Sequence, residues 1–151
     1  MSQASPAGPG VGVVIVTHGQ LATELLNAAE MIVGDLPHFT ALAIGWHEDI
    51  TLAREMLADA IARVQTGAGV LILTDMFGGT PTNLGLSFLE PGTVEVVTGV
   101  NLPMLIRLAR GSTPLDLHAL ARTLAEDARS AIRVASEFLR STPATPASEP
   151  R

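Results

Sequence analysis

The chain has 151 residues, 47% of them hydrophobic, with a formal net charge of −6 and no cysteine. That length and apolar content suit one domain with a sizeable core, and the missing cysteine excludes disulfides, thiol chemistry and thiolate metal sites. All nine cations are Arg, which excludes lysine Schiff bases and a Walker-type phosphate loop, and the acidic balance argues against a nucleic-acid partner.

Residues 1–10, rich in Ser, Ala, Pro and Gly, read as a flexible leader without the basic start or apolar core of a signal peptide. No apolar run approaches the roughly 18 residues that span a bilayer, so the expected compartment is the cytoplasm. Residues 11–16 form a short apolar, mostly valine run, a first strand that ends at Thr17-His18-Gly19. Leu21, Leu25, Ala28, Ala29 and Ile32 then recur at helical spacing over 21–33, stopped by Gly34 and Pro37. A second strand is predicted at 39–44, a second helix at 49–65 and a third, wholly apolar strand at 70–73. Gly78-Gly79-Thr80-Pro81 turns into a helix over 81–89, with Thr80 as its expected N-cap and Pro81 in the first helical position. A fourth strand follows at 94–98, a short helix at 103–109 and a helix over 115–128 capped by Thr113. Residues 141–151, with three prolines, read as a flexible tail, leaving 11–140 as the folded domain.

Strand and helix alternate, and the strands are continuously apolar instead of alternating. Both features predict an α/β three-layer sandwich: a parallel sheet with helices on both faces. Such sheets carry their sites at the carboxyl ends of the strands. The first strand delivers Thr17 and His18 there, the second Trp46 and His47, the third Asp75 and the Gly78-Gly79 turn, and the fourth Gly99 and Asn101. If the first and third strands are neighbours, about 4.8 Å apart, His18 Nδ1–H can donate to Asp75. The imidazole Nε2 is then left free as a nucleophile. The turns after these two strands open helices, whose amides and positive dipole ends suit a phosphoryl group on Nε2. Gly19, Gly78 and Gly79 let the backbone approach, and the Thr80 hydroxyl can donate to a phosphate oxygen. Each residue also has an ordinary structural reading: a strand-end histidine as a polar turn residue, an aspartate as a cap, Gly-Gly-Thr-Pro as turn punctuation. Their convergence on neighbouring strands is what points to a histidine that holds a phosphoryl group. Thr17, Trp46, His47 and Asn101 are candidates for the rim. His38 reads as a solvated loop residue and His118 as a surface residue without a partner. No pair of ligands has a characteristic metal spacing, so neither a metal nor another cofactor is expected.

Three segments carry a family resemblance. Val16-Thr17-His18-Gly19, with Ala22 and Ala28-Ala29-Glu30-Met31 through Gly34, resembles the start of mannose-family IIA domains of the phosphoenolpyruvate-dependent sugar phosphotransferase system (PTS). Thr74-Asp75-Met76-Phe77-Gly78-Gly79-Thr80-Pro81-Thr82-Asn83 and Gly99-Val100-Asn101-Leu102-Pro103-Met104-Leu105 resemble that family's second and third signatures, in the same order and spacing. The resemblance spans about residues 11–138. It implies a sheet of order 2-1-3-4, phosphorylation of His18 on Nε2, and Asp75 hydrogen-bonded to the other ring nitrogen. It also implies phosphotransferase activity in which phospho-HPr is the donor and a IIB component the acceptor, so that the membrane is met only through transporter components. Gly45-Trp46-His47-Glu48 departs from the family's usual Pro-Gly-Glu-type loop. Residues 131–139 either continue a helix or form an antiparallel fifth strand exchanged in a homodimer, over the valine-rich edge at 94–97. No IIB domain is expected after the Pro-rich tail. Two readings compete with transport: a regulatory phosphohistidine module on the same site, and a small-ligand or metal-binding protein on the same scaffold.

Overall fold

The computed structural model describes residues 10–45, 49–111 and 116–141. The expected leader and tail fall almost wholly outside the described residues, as do Trp46, His47 and Thr113. The elements run β1 (Gly12–His18), α1 (Leu21–Val33), β2 (Phe39–Ile44), α2 (Ile50–Val64), β3 (Val70–Thr74), α3 (Gly79–Leu86), β4 (Val94–Thr98), α4 (Leu102–Ala109), α5 (Leu117–Ser130) and α6 (Ala135–Ser141). The four strands form one sheet of order β2-β1-β3-β4, with every pair parallel.

Alternation along the strands divides the core in two. Val13, Ile15, Leu71, Leu73 and Val97 face one way, into a cluster with Ala22 and Ala29 of α1, Met104 and Leu105 of α4, and Leu120 and Leu124 of α5. Val14, Val16, Leu42, Ile44, Val70, Ile72 and Val94 face the other way, against Ala53, Leu57, Ala60 and Val64 of α2 and Leu84 of α3. Strands β1 and β3 are covered on both faces, which is why their sequences are unbroken apolar runs. Each fully buried Leu or Ile there contributes about 1.5–3 kcal/mol. Glycine at position 12 has a packing cause, because a Cβ there would collide with the Val64 carbonyl at the end of α2.

Three of the differences between the structure and the sequence expectation have a clear physical cause. Helix α3 begins at Gly79, with Gly78 (φ 88°) in the N-cap position and no side-chain cap. Thr80 therefore lies inside the first turn, where Pro81 is also tolerated because first-turn amides have no intrahelical partner. Helix α5 begins two residues later than expected, because Asp116 is its cap and accepts from Ala119 N at 2.8 Å. At the C-terminus, Ala131 ends the α5 turn and Ala135–Ser141 form helix α6. The described residues thus hold four strands, and the antiparallel fifth strand is not part of the fold of the single chain. Ala135, Glu137, Leu139 and Arg140 are strong helix formers, which favours the helix over a strand. Among the described residues no helix is long and apolar enough to cross a membrane.

Candidate active site

Parallel pairing brings the carboxyl ends of β1 and β3 side by side, with Val16 opposite Thr74. One residue beyond Thr74, Asp75 turns its carboxylate back across β1. Its Oδ2 accepts from the His18 ring at Nδ1, 2.8 Å away, and from the His18 backbone N–H at 3.1 Å. An ionised carboxylate only accepts, so Nδ1 carries a proton, and in the neutral ring Nε2 keeps its lone pair. Burial pushes the Asp75 carboxyl up, but the hydrogen bonds from the His18 ring and backbone, with the charge of His18, outweigh it and hold the group below its ordinary value. The Asp75 side chain is 15% exposed and that of His18 51%, so the ring stands out from a mostly covered partner. The other carboxylate oxygen, Oδ1, is buried and has no hydrogen-bond partner among the described residues.

The free face of the ring meets backbone. A Cβ built on Gly79 (φ 82°) would lie 3.2 Å from both Nε2 and Cε1 of His18. Gly79 is thus glycine for two reasons, a left-handed φ and close approach. It is also the first residue of α3, whose Gly79 and Thr80 amides precede any intrahelical acceptor. Gly78 (φ 88°) has the left-handed conformation but open space around its Cβ position. On the β1 side, Gly19 (φ 55°) turns the chain into α1, its amide donating to Ile44 O at 3.0 Å. Two helix N-termini, those of α1 and α3, therefore flank one histidine.

Thr17 lies beneath the rim and not on it, while the partly exposed Asn101 caps a helix at the end of the fourth strand. Thr17 is fully buried and its hydroxyl accepts from Ala22 N at 2.7 Å, which supplies the first turn of α1 with an acceptor from the strand below. Asn101 is the N-cap of α4, accepting from Met104 N at 3.1 Å while its amide donates to Ala128 O at 3.1 Å, so both ends of the side chain are engaged. His38 is exposed in a turn, as expected. His118 does have a partner: its Nδ1 lies 3.1 Å from Glu95 Oε2, across from β4 to α5. Among the described residues no group of three or more His, Asp and Glu side chains could hold a metal ion.

One constellation escaped the sequence. Thr74 and Thr82 are both fully buried, their hydroxyls 2.7 Å apart, and Thr82 donates to the carbonyl of Met76 at 2.5 Å. Threonines in an apolar strand end and a helix give no pattern of their own, and only the tertiary fold brings 74, 76 and 82 together.

The sequence profile of the EIIA-man family, described as PTS system fructose IIA component, matches residues 12–125. The chain belongs to this family. The PTS system fructose-specific EIIA component of Bacillus subtilis (strain 168) is 31% identical over 130 residues, 85% of this chain and 89% of that protein. The PTS system mannose-specific EIIAB component of Escherichia coli (strain K12) is 32% identical over 93% of this chain. The chain spans 45% of the length of that relative. Among solved structures, the PTS IIA protein associated with the fucose utilization operon from Streptococcus pneumoniae superposes with a TM-score of 0.73. It is 27% identical, over 87% of this chain and 98% of that one. A four-stranded parallel sheet with helices on both faces is thus the fold of this EIIA-man chain.

Proposed function

We propose that this EIIA-man chain is a phosphocarrier that accepts a phosphoryl group from phospho-HPr on His18 Nε2 and passes it to a IIB component during sugar uptake. The observation that carries the reading is the 2.8 Å bond between His18 Nδ1 and Asp75 Oδ2, which makes Nε2 the nucleophile beside the start of α3. In the transfer, the Nε2 lone pair attacks phosphorus as the bond to the donor's histidine nitrogen breaks. The ring becomes cationic while Nδ1 keeps its proton, and the Asp75 carboxylate offsets that charge. The amides of Gly78, Gly79 and Thr80 and the Thr80 hydroxyl are then the donors to the phosphoryl oxygens, as an anion at a helix N-terminus requires. Gly19 gives the opposite turn the same freedom.

A partner must press closely on this face. Leu21, Met76 and Phe77 are 46%, 55% and 79% exposed next to the reacting pair. A groove lined by Ile50, Arg54, Thr80, Asn83, Leu84 and Ser87 opens beside them. An exposed apolar rim with an adjoining polar groove suits a transient protein partner. In this reading the cytoplasm is where such partners are met. Exposed Ile132, Val134, Phe138 and Leu139 support a homodimer that covers them, which sedimentation at micromolar concentration tests.

The phosphocarrier reading is tested by incubating the protein with radiolabelled phosphoenolpyruvate, enzyme I and HPr. Wild type is expected to acquire acid-labile, base-stable phosphate, and His18→Ala to acquire none while keeping its circular dichroism spectrum. Equal labelling of the alanine variant would overturn the assignment.

A further inference from the structure

We infer that Thr82 is a positioning residue for His18, acting through the segment that carries Asp75; the inference rests on the phosphocarrier reading for its kinetic part only. Thr82 has one hydroxyl proton, and it goes to the Met76 carbonyl at 2.5 Å. Its oxygen therefore accepts from Thr74, 2.7 Å away, and the donors form a single directed chain from Thr74 through Thr82 to Met76 O. The Thr74 and Thr82 hydroxyls are fully buried, where a hydrogen bond is strong and an unmade one is costly, and the bond onward to Met76 O is partly buried. The strand-end carbonyl of Thr74 is held as well, accepting from Val100 N at 2.9 Å. Asp75 thus sits between two anchored residues, Thr74 on one side and Met76 on the other. Thr82 itself is in the first turn of α3, the helix whose start lies against Nε2.

The consequence is geometric. The carboxylate that fixes the ring at Nδ1 and the helix start that faces Nε2 are joined through one buried side chain. Thr82 touches neither His18 nor the phosphoryl group; it sets the distance between the two groups that do. Without its hydroxyl, Met76 O and the Thr74 hydroxyl lose their partner, and residues 75–78 can shift relative to α3. A displacement of about 1 Å at a reacting centre can lower a rate on the order of a hundredfold. Both hydrogen bonds to the carboxylate come from His18 and meet Oδ2, while Oδ1 is buried without a partner among the described residues, so the position of Asp75 depends on the backbone that carries it.

The test uses the full chain as Thr82→Val, Thr82→Ala and Thr82→Ser. In the unphosphorylated protein, nitrogen NMR of the His18 ring reads the proton on Nδ1. The valine and alanine variants are expected to lose part of that tautomer population, and serine to retain it. With phospho-HPr as donor, kcat is expected to fall on the order of tenfold or more in the first two with KM unchanged, and to recover in Thr82→Ser. A wild-type ring signal and kcat in folded Thr82→Val would overturn the inference, as would a serine variant as slow as valine. Failure of both valine and alanine variants to fold would make Thr82 structural only, which also overturns it. If wild type itself takes no phosphate, the phosphocarrier reading fails, and the ring signal alone still decides for or against the positioning role.

Discussion

Helices α2, α4 and α5 begin on Asp49, Asn101 and Asp116, each accepting a hydrogen bond from its own first turn. Helices α1 and α3, which flank His18, begin on Gln20 and Gly78 and have no such cap. In place of a cap, a buried threonine serves each of the two from below: Thr17 accepts from Ala22 N, and Thr82 binds the loop that precedes its helix. A side-chain cap satisfies the amides that a helix start would otherwise offer to an anion. Side-chain caps are thus present at α2, α4 and α5 and absent at the two helix starts beside His18, which leaves amides such as those of Gly79 and Thr80 open to an anion.

The sharpest way to break this contrast is to alter the charge between the uncapped helices. Asp75→Asn is expected to slow phosphoryl transfer on the order of a hundredfold, with only a small loss of thermal stability. The amide can still meet the ring, but it offers no charge to the phosphorylated imidazolium. Unchanged single-turnover kinetics would remove Asp75 from the mechanism. Next in size is the pair of glycines. Gly78→Ala and Gly79→Ala each place a Cβ in left-handed backbone and should cost about 1–2 kcal/mol in denaturant unfolding. Only Gly79→Ala also sets a methyl group against Nε2, so only that variant should slow transfer beyond the loss of stability. Equal slowing by both would show that contact with Nε2 is irrelevant.

On the capped side the expected effects change sign in kind. Asp116→Ala should cost about 1 kcal/mol of stability and leave transfer rates at wild type. A marked loss of transfer without loss of stability would dissolve the distinction between the two sets of helices. The smallest effect is the pH dependence of stability. Asp75 titrates below its ordinary value of 3.8 in the folded chain. Its bond to His18 therefore stabilises the fold above about pH 4, and that contribution is lost as pH falls through the lower, folded value. Urea unfolding between pH 5 and 3 should show a shallower loss in His18→Ala than in wild type.

Much of this was legible in the residues. The bounds of α1, β2 and β4 follow from periodicity and glycine punctuation alone, and the His18–Asp75 pair from two strand ends that a parallel sheet sets side by side. Thr17 reads as a rim residue because a polar residue at a strand end looks the same in sequence whether it faces solvent or satisfies a neighbouring helix. The start of α3 is hidden in the sequence because a Thr-Pro pair imitates a capped helix start, while the boundary lies at glycines whose positive φ no spacing reveals. Helix α6 is ambiguous in the sequence between helix and strand, since the weak alternation of Ile132, Val134 and Ser136 allows either. Buried hydroxyl chains leave no sequence signal, because their partners meet only in three dimensions.

The most direct test asks which ring nitrogen bears phosphorus. Protein labelled with nitrogen-15 at histidine is phosphorylated through enzyme I and HPr, and phosphorus–nitrogen coupling is read by NMR. Coupling to Nε2 of His18, with Nδ1 still protonated, is the expected result. Phosphorus on Nδ1, or on any residue other than His18, would contradict the arrangement in which Asp75 holds one nitrogen and the start of α3 receives the group on the other.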